Sequence, residues 1–262
     1  MTTIDLNADL GEGMPDEDLL PYLTSANVAC GFHAGDPSTM DYTVAAALAR
    51  GIRVGAHPGF ADRENFGRAE VDMPADQIEK LVLFQIGALD GFVRSRGGTL
   101  SHVKPHGGLY HMAGKFPDVA RAIAEGVRRF HPALILVGAV GSMLLEAGRE
   151  AGLSVAAEAF ADRRYLPDGN LVPRSRPDAL LTDPDVAAAQ AVSLVCEGYA
   201  VATDGTRLHL QPDTICLHGD TPGAPAIARR VGERLRDCGV RVAPMEALPP
   251  GAHAAASLEA RP

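Results

Sequence analysis

The strongest constraint on the fold is an alternation that runs the whole 262-residue chain: short β-type runs separated by longer segments with helix punctuation. The expected strands are 3–8, 26–30, 52–56, 100–104, 134–138, 154–158 and 213–218. Asp36-Pro37 opens a helix that Gly51 closes, and Asp72 and Pro74 precede one over 75–96 that Gly97-Gly98 ends. Asp183-Pro184 opens one over 185–197 closed by Gly198, and Thr221-Pro222 one over 224–238 closed by Gly239. Asp caps free N–H groups, Pro at the first helical position has no N–H to leave unpaired, and Gly suits the left-handed position past the last turn. Strands that alternate with helices imply a parallel sheet. Unbroken runs such as Leu134-Ile135-Leu136-Val137 predict strands buried on both faces. An open doubly wound sheet and a closed barrel both satisfy this; length and strand count favour one barrel-like domain over residues 1–248. Asp204-Gly205 predicts a hairpin turn within 200–210, 240–243 a last short strand, and 249–262 a loose Ala- and Pro-rich tail.

Composition removes several function classes. The net charge is −9, with no basic stripe to neutralise phosphates, so no nucleic-acid partner is expected. Four scattered cysteines contain no C-x-x-C pair, which argues against a disulfide framework or a thiolate zinc site. The first residues lack the basic and apolar regions of a signal peptide, and no apolar run is long enough for a membrane helix. A cytoplasmic, reduced, soluble protein is the expectation.

The polar residues carry the functional signal. The first expected strand ends in Asn7, Asp9 and Glu12, the second in His33 and Asp36, and the third in His57, Asp62, Arg63 and Arg68. The fourth ends in Lys104, His106 and His111, the sixth in Glu158, Asp162, Arg163 and Tyr165, and the seventh in His218 and Asp220. The fifth, ending Gly138-Ala139-Val140-Gly141, is the exception. In parallel α/β folds the carboxyl ends of the strands converge on one mouth, where helix N-termini also point. His102 alternates with apolar neighbours and reads as a barrel-interior histidine; His131, His209 and His253 read as solvated. Arg63 or Arg163 can hold a carboxylate, whose geometry matches the guanidinium fork.

Two nucleotide motifs nearly match and fail. Gly11-Glu12-Gly13 lacks the third glycine, because residue 16 is Asp, and Gly114-Lys115 lacks the first glycine and the following hydroxyl. A nucleotide would need another cradle, with Gly107-Gly108 and the helix starts at Pro37 and Pro222 as candidates. No G-x-S-x-G elbow is present, and Cys30 and Cys216 read as buried strand residues. An acid with several imidazoles at one mouth suits hydrolysis. Asp9, His33 and a further imidazole can hold a divalent metal, or the same groups can act as general acid and base; spacing does not choose.

Taken together, Asp5-Leu-Asn-Ala-Asp9-Leu-Gly-Glu-Gly13, Asn27-Val-Ala-Cys-Gly-Phe-His33-Ala-Gly-Asp36, Gly55-Ala-His57-Pro-Gly59, Val103-Lys-Pro-His106-Gly-Gly-Leu-Tyr110, Glu158-Ala-Phe-Ala-Asp162-Arg-Arg-Tyr165 and Leu217-His218-Gly-Asp220-Thr-Pro222 resemble the LamB/YcsF family. The resemblance covers about residues 3–246. It implies a (β/α)7 TIM-like barrel of the glycoside hydrolase/deacetylase type. It also implies the A component of a 5-oxoprolinase, which opens 5-oxo-L-proline to L-glutamate with ATP, Mg and partner subunits B and C. On this mapping Asp9, Glu12, Lys104 and His106 are the catalytic candidates. Asn7, Asp36, His57, Arg63, Glu158, Asp162, Arg163, His218 and Asp220 are the substrate or nucleotide candidates. Asp9, His33 and His106 are the candidate metal ligands. Lys104 stands where some related barrels carry a carboxylate, and its ammonium suits a phosphate or oxyanion better than a metal ion. Gly108 and Gly59-Phe60 depart from the usual Ala and Ser-Tyr. The rival readings are a stand-alone metal-dependent amidase or carbohydrate deacetylase, and a non-catalytic subunit that captures 5-oxoproline. A sugar substrate is disfavoured by the absence of Trp and a total of five Tyr.

Overall fold

The strands form where apolar and polar residues alternate, and the two sets face opposite sides of a closed barrel. In the computed structural model, which describes residues 1–246, seven parallel strands make that barrel. They are β1 (Thr3–Leu10), β2 (Ser25–Ala29), β3 (Arg53–His57), β4 (His102–Val103), β5 (Ile135–Ala139), β6 (Ser154–Phe160) and β9 (Thr214–His218). Each pairs with the next, and β9 pairs with β1 in the register Asp5↔Thr214 to Asp9↔His218. That last pairing closes the sheet and excludes the open doubly wound alternative.

Helices α1 (Pro37–Leu48), α2 (Ala75–Ser95), α3 (Gly107–Lys115), α4 (Pro117–Phe130), α5 (Met143–Glu150), α6 (Pro184–Val192) and α7 (Ala224–Asp237) connect most of the strands. Between β1 and β2 the chain makes only two short 3-10 turns. The helix expected over 185–197 is α6 followed by a π-turn, Ser193–Glu197, which ends at Gly198 with φ 74°. The hairpin is present as β7 (Tyr199–Val201) and β8 (Arg207–His209), with Asp204 accepting from the Thr206 amide in the turn. The last strand, β10 (Arg241–Val242), extends the N-terminal end of β1. The tail expected over 249–262 lies outside the described residues. Among the described residues, no helix is long and apolar enough to cross a membrane.

The strands are buried on both faces, as expected, but for most of the barrel only the outward face is apolar. Ile4, Leu6, Ala8 and Leu10 of β1 pack outward against the helices, and Val28, Val54, Val103, Ile215 and Leu217 do the same on their strands. Successive side chains point to opposite faces, so Asp5, Asn7 and Asp9 fall in the lumen. There Asp5 accepts from the hydroxyls of Thr24, Ser25 and Thr214. Asn7 donates to Glu158 and Thr214 and accepts from Asn27. Asn27 also donates to Asp9. Ile135 and Val137 of β5 with Ala156 of β6 form a small apolar cluster of their own. Buried polar groups are tolerated because they are hydrogen-bonded to one another. The continuous apolar run of β5 does not reveal this polar inner face, because β5 is the strand whose inward residues, Ile135 and Val137, are apolar.

His102 lies in this lumen, as its alternation predicts. Its Nε2 is 2.8 Å from Asn27 Oδ1 and its Nδ1 2.6 Å from Ser101 Oγ, and burial pushes its pKa down to about 3. The ring crosses the face of β3 at Gly55, where a Cβ would lie 2.2 Å from the imidazole. Gly55→Ala is therefore expected to displace His102 and lower the unfolding free energy by roughly 1–3 kcal/mol, measured by urea denaturation. A change under a few tenths would show that the ring relaxes freely.

Candidate active site

The sequence brings ionisable groups to one end of the barrel because most strands carry a polar residue at or just beyond their C-terminal end. The mouth opens into a cavity of about 400 Å³ whose lining includes Asp9, Glu12, His57, Lys104, His106, Arg163, His218 and Asp220. A second cavity of about 390 Å³ adjoins it and shares Tyr110, His111, Lys115, Phe160, Asn170 and Leu171 as common wall.

The floor is built on Lys104. Its ammonium lies 2.9 Å from Asp9 Oδ1 and 2.8 Å from Glu158 Oε1, with Cys216 Sγ at 3.1 Å. Burial is the largest single influence and opposes this charge, but Asp9, Cys216 and Glu158 together outweigh it and the pKa of Lys104 is raised well above the ordinary value. An ammonium has three protons, and here all three have acceptors, so the role expected for Lys104 as a free phosphate ligand is not what the geometry offers. Tyr110 donates to the other oxygen of Glu158 at 2.8 Å. Burial also opposes the Asp9 carboxylate, yet His57 and Lys104 hold its pKa well below normal.

Above the floor stand three imidazoles and Glu12. Glu12 Oε1 lies 2.9 Å from His33 Nε2, 3.2 Å from His106 Nδ1 and 3.8 Å from His57 Nε2. His57 Nε2 is also 3.3 Å from Asp9 Oδ2. His33 and His106 stack at 3.8 Å, an approach that requires glycine nearby: a Cβ on Gly59 would be 2.7 Å from His33, and one on Gly67 2.6 Å. Burial drives His33 down to about 2 and His106 to about 3, with His57 adding to both. His57 behaves oppositely: burial is the largest single influence and lowers it, but Asp9 and Glu12 together outweigh burial and its pKa is raised. Burial raises Glu12. Asp9 and Glu12, two carboxyls at one mouth, are thus pushed in opposite directions, a pattern that separates acid and base roles.

The expected metal triad of Asp9, His33 and His106 is regrouped. Glu12, His33, His57 and His106 each offer a donor atom within 4.8 Å of the others, and Asp9 falls with Cys216 and His218 in a second group. Several other expectations change. Asp36 accepts from the Thr39 amide and caps α1, so its carboxylate serves the helix rather than a ligand. Arg63 is taken up by the carbonyls of Gly31 and Gly35. Asn7 lies in the lumen beneath the cavity, bonded to Glu158 and Thr214. Asp162 accepts from the His218 amide, the His218 ring at 3.0 Å and the Thr221 hydroxyl at 2.6 Å; it positions His218, whose ring stacks on Phe160. Glu158 is buried and is held by Tyr110 and Lys104.

Arg163 keeps its expected place. It is buried, donates to the Val172 carbonyl at 2.6 Å, and leaves Nε without a partner. Burial and Arg174 lower its pKa to about 10, still a full cation at neutral pH. Arg68 and Arg174, also in the lining, both hold Asp220 Oδ2, at 2.8 and 3.0 Å. Sequence reasoning missed Tyr110 and Arg174. Tyr110 lies one helical turn beyond His106 in the same motif, which is a usable signal; Arg174 sits in an irregular loop with no local signal.

The LamB/YcsF family profile matches residues 4–249. The chain belongs to the LamB/YcsF family. It is 54% identical over 247 residues to the A component of 5-oxoprolinase from Methylococcus capsulatus, covering 92% of this chain and 95% of that one. It is 45% identical over 249 residues to the corresponding A component from Brevibacillus brevis, covering 93% and 98%. Among solved structures, the lactam utilization protein from Thermus thermophilus superimposes with a TM-score of 0.87 at 44% identity, covering 93% of this chain and all of that one. The family motifs named above supply Asp9, Glu12, His33, His57, Lys104 and His106, the residues that meet at the mouth.

Asp162 makes a testable link between site and stability. Burial alone would raise its pKa, but His218 and the Thr221 hydroxyl outweigh burial and hold it at about 2, against 3.8 for an ordinary carboxyl. A depressed folded pKa adds stability that is present above the unfolded pKa and lost as pH falls through the folded one. The contribution is roughly 2 kcal/mol at neutral pH and disappears between about pH 4 and pH 2. Asp162→Asn should be less stable at pH 7 and should lose stability less steeply over that window in acid denaturation. An unchanged slope would assign the acid sensitivity elsewhere.

Proposed function

We propose that this chain is the lactam-binding, hydrolytic component of a 5-oxoprolinase, opening 5-oxo-L-proline to L-glutamate with ATP and two partner subunits, B and C. The observation that carries the reading is one cavity that pairs the buried Arg163 guanidinium, whose Nε has no partner, with an acid–imidazole cluster. Relatives named as the A component of 5-oxoprolinase and a solved lactam utilization protein support the substrate class. The 5-oxoproline molecule is small, with one carboxylate and one lactam. Arg163 takes the carboxylate through paired N–H groups, which orients the lactam carbonyl toward Glu12, His57 and His106.

A five-membered lactam is a stable amide, which accounts for the use of ATP. Transfer of the γ-phosphoryl group to the lactam oxygen, with ADP leaving, converts the amide into an activated imidate. A first water then adds to the ring carbon, the ring C–N bond opens with the nitrogen leaving as the amine, and a second water hydrolyses the resulting acyl phosphate to glutamate and inorganic phosphate. The adjoining second cavity, walled by Lys115 and His111, gives room for a nucleotide with its Mg beside the lactam. The imidazole cluster activates the attacking water, and the Asp9–Lys104–Glu158 floor holds His57 in place through Asp9. A multi-component assembly of this kind fits a soluble cytoplasmic enzyme.

The deciding assay follows glutamate release from 5-oxo-L-proline by this chain alone and mixed with its partner subunits, each with and without ATP. Release only with ATP and partners is expected. ATP-independent release by the chain alone would replace this reading with a stand-alone amidase. In the active mixture, Asp9→Asn is expected to lower kcat by roughly 10²–10⁴-fold. Arg163→Lys is expected to raise KM for 5-oxoproline by about tenfold or more with a smaller change in kcat, because a point charge replaces a planar fork. Asp36→Ala should keep near-normal turnover while losing about 1 kcal/mol of stability through its lost cap.

A further inference from the structure

His57 and His106 are both fixed by backbone carbonyls. His57 Nδ1 lies 2.7 Å from the Lys104 carbonyl oxygen, and His106 Nε2 lies 2.8 Å from the Phe66 carbonyl oxygen. A carbonyl oxygen only accepts, so each of those nitrogens carries the proton. The remaining nitrogens, His57 Nε2 and His106 Nδ1, then face each other at 3.0 Å. In neutral rings these are two lone pairs pointed at one another, and something positive must lie between them.

We infer that Glu12, His57 and His106 form a binding site for a divalent metal ion, with Asp9 at its edge and His33 outside it as a positioning residue. The three donor atoms, Glu12 Oε1, His57 Nε2 and His106 Nδ1, are 3.0, 3.2 and 3.8 Å apart. Nitrogen and oxygen ligands on a tetrahedral zinc ion lie about 3.3 Å apart at normal bond lengths, which is the mean of these three edges. Asp9 Oδ2, 3.3 Å from His57 Nε2, is placed on the same scale. Each ligand histidine donates its other N–H to a carbonyl, the arrangement that orients ligating imidazoles. The carbonyl that fixes His106 belongs to Phe66, held at φ 56°, a conformation that bulky side chains rarely adopt. His33 contributes differently: its Nε2 donates to Glu12 and its Nδ1, buried, has no partner.

The Lys104 ammonium is no obstacle, because Asp9 and Glu158 already flank it. Two imidazoles and one or two carboxylates suit Zn²⁺ and its neighbours Co²⁺ and Mn²⁺ rather than a thiophilic ion. When bound, such an ion lowers the pKa of a coordinated water and polarises a carbonyl. The site stands on geometry alone and does not depend on lactam opening.

The test uses the full chain stripped by chelator dialysis and titrated calorimetrically with Zn²⁺ and with Co²⁺, whose visible absorption reports a four-coordinate site. One equivalent is expected to bind, and Zn²⁺ should raise the melting temperature by mass action. His57→Gln and His106→Gln should each weaken binding by at least about 100-fold and abolish the melting shift, while their metal-free melts show that they fold. His33→Gln should weaken binding by only about 10–100-fold, and the surface change His131→Gln should leave it unaltered. A folded wild-type chain that takes up no stoichiometric metal would assign the space between the rings to a shared proton and overturn the site. So would full retention of binding in His57→Gln with complete loss in His33→Gln.

Discussion

The barrel depends on a buried ammonium. Lys104 reaches into the lumen from the end of β4, and the two carboxylates that grip it come from β1 and β6, on different parts of the wall. Removing either partner leaves an uncompensated, almost fully buried charge, a far larger penalty than the pair's net contribution to stability. The pair therefore says less about how stable the barrel is than about which arrangement of strands it tolerates. Asn7, Asn27, Thr214 and His102 extend the same logic downward, each answering a polar group that would otherwise be orphaned. The catalytic mouth is the upper edge of this network, so its residues are positioned by the packing of the barrel more than by loops.

Much of this is legible in the sequence. Helix punctuation at Pro37, Pro184 and Gly198 and the turn at Asp204-Gly205 are local signals with local causes, and they fall where the residues indicate. The strand-end clusters also read correctly, because a parallel barrel sends every strand's end to one face. The polar lumen does not read from the apolar runs, although Asp5-Leu6-Asn7-Ala8-Asp9 shows the period-two alternation plainly. The unbroken run of β5 is unrepresentative, and the charges of β1 point into the lumen along its length as well as at the mouth.

The residues that sequence misplaces share a cause. Asp36, Arg63 and Asp162 are ionisable and sit near strand ends, so they match the pattern for function. Their carboxylates and guanidinium are nevertheless occupied by amides, carbonyls and a neighbouring ring. Whether a polar group is free for a ligand depends on what stands opposite it in space, and that information is spread over distant segments. The regrouping of His57, at the end of β3, with Glu12, just past the end of β1, is of the same kind.

The closing seam has a consequence for how the chain is made. β1 is the first strand to be synthesised, yet one of its edges waits for β9, whose Thr214 lies 209 positions beyond Asp5, and its starting residues wait for β10. Until then a strand with three inward polar side chains and an unpaired backbone edge has no proper neighbour on that side. Contacts of such sequence separation form slowly because the intervening chain must first be ordered. The nascent protein therefore spends most of its synthesis with an open sheet, and the interval before β9 emerges is when mispairing and chaperone capture compete with folding.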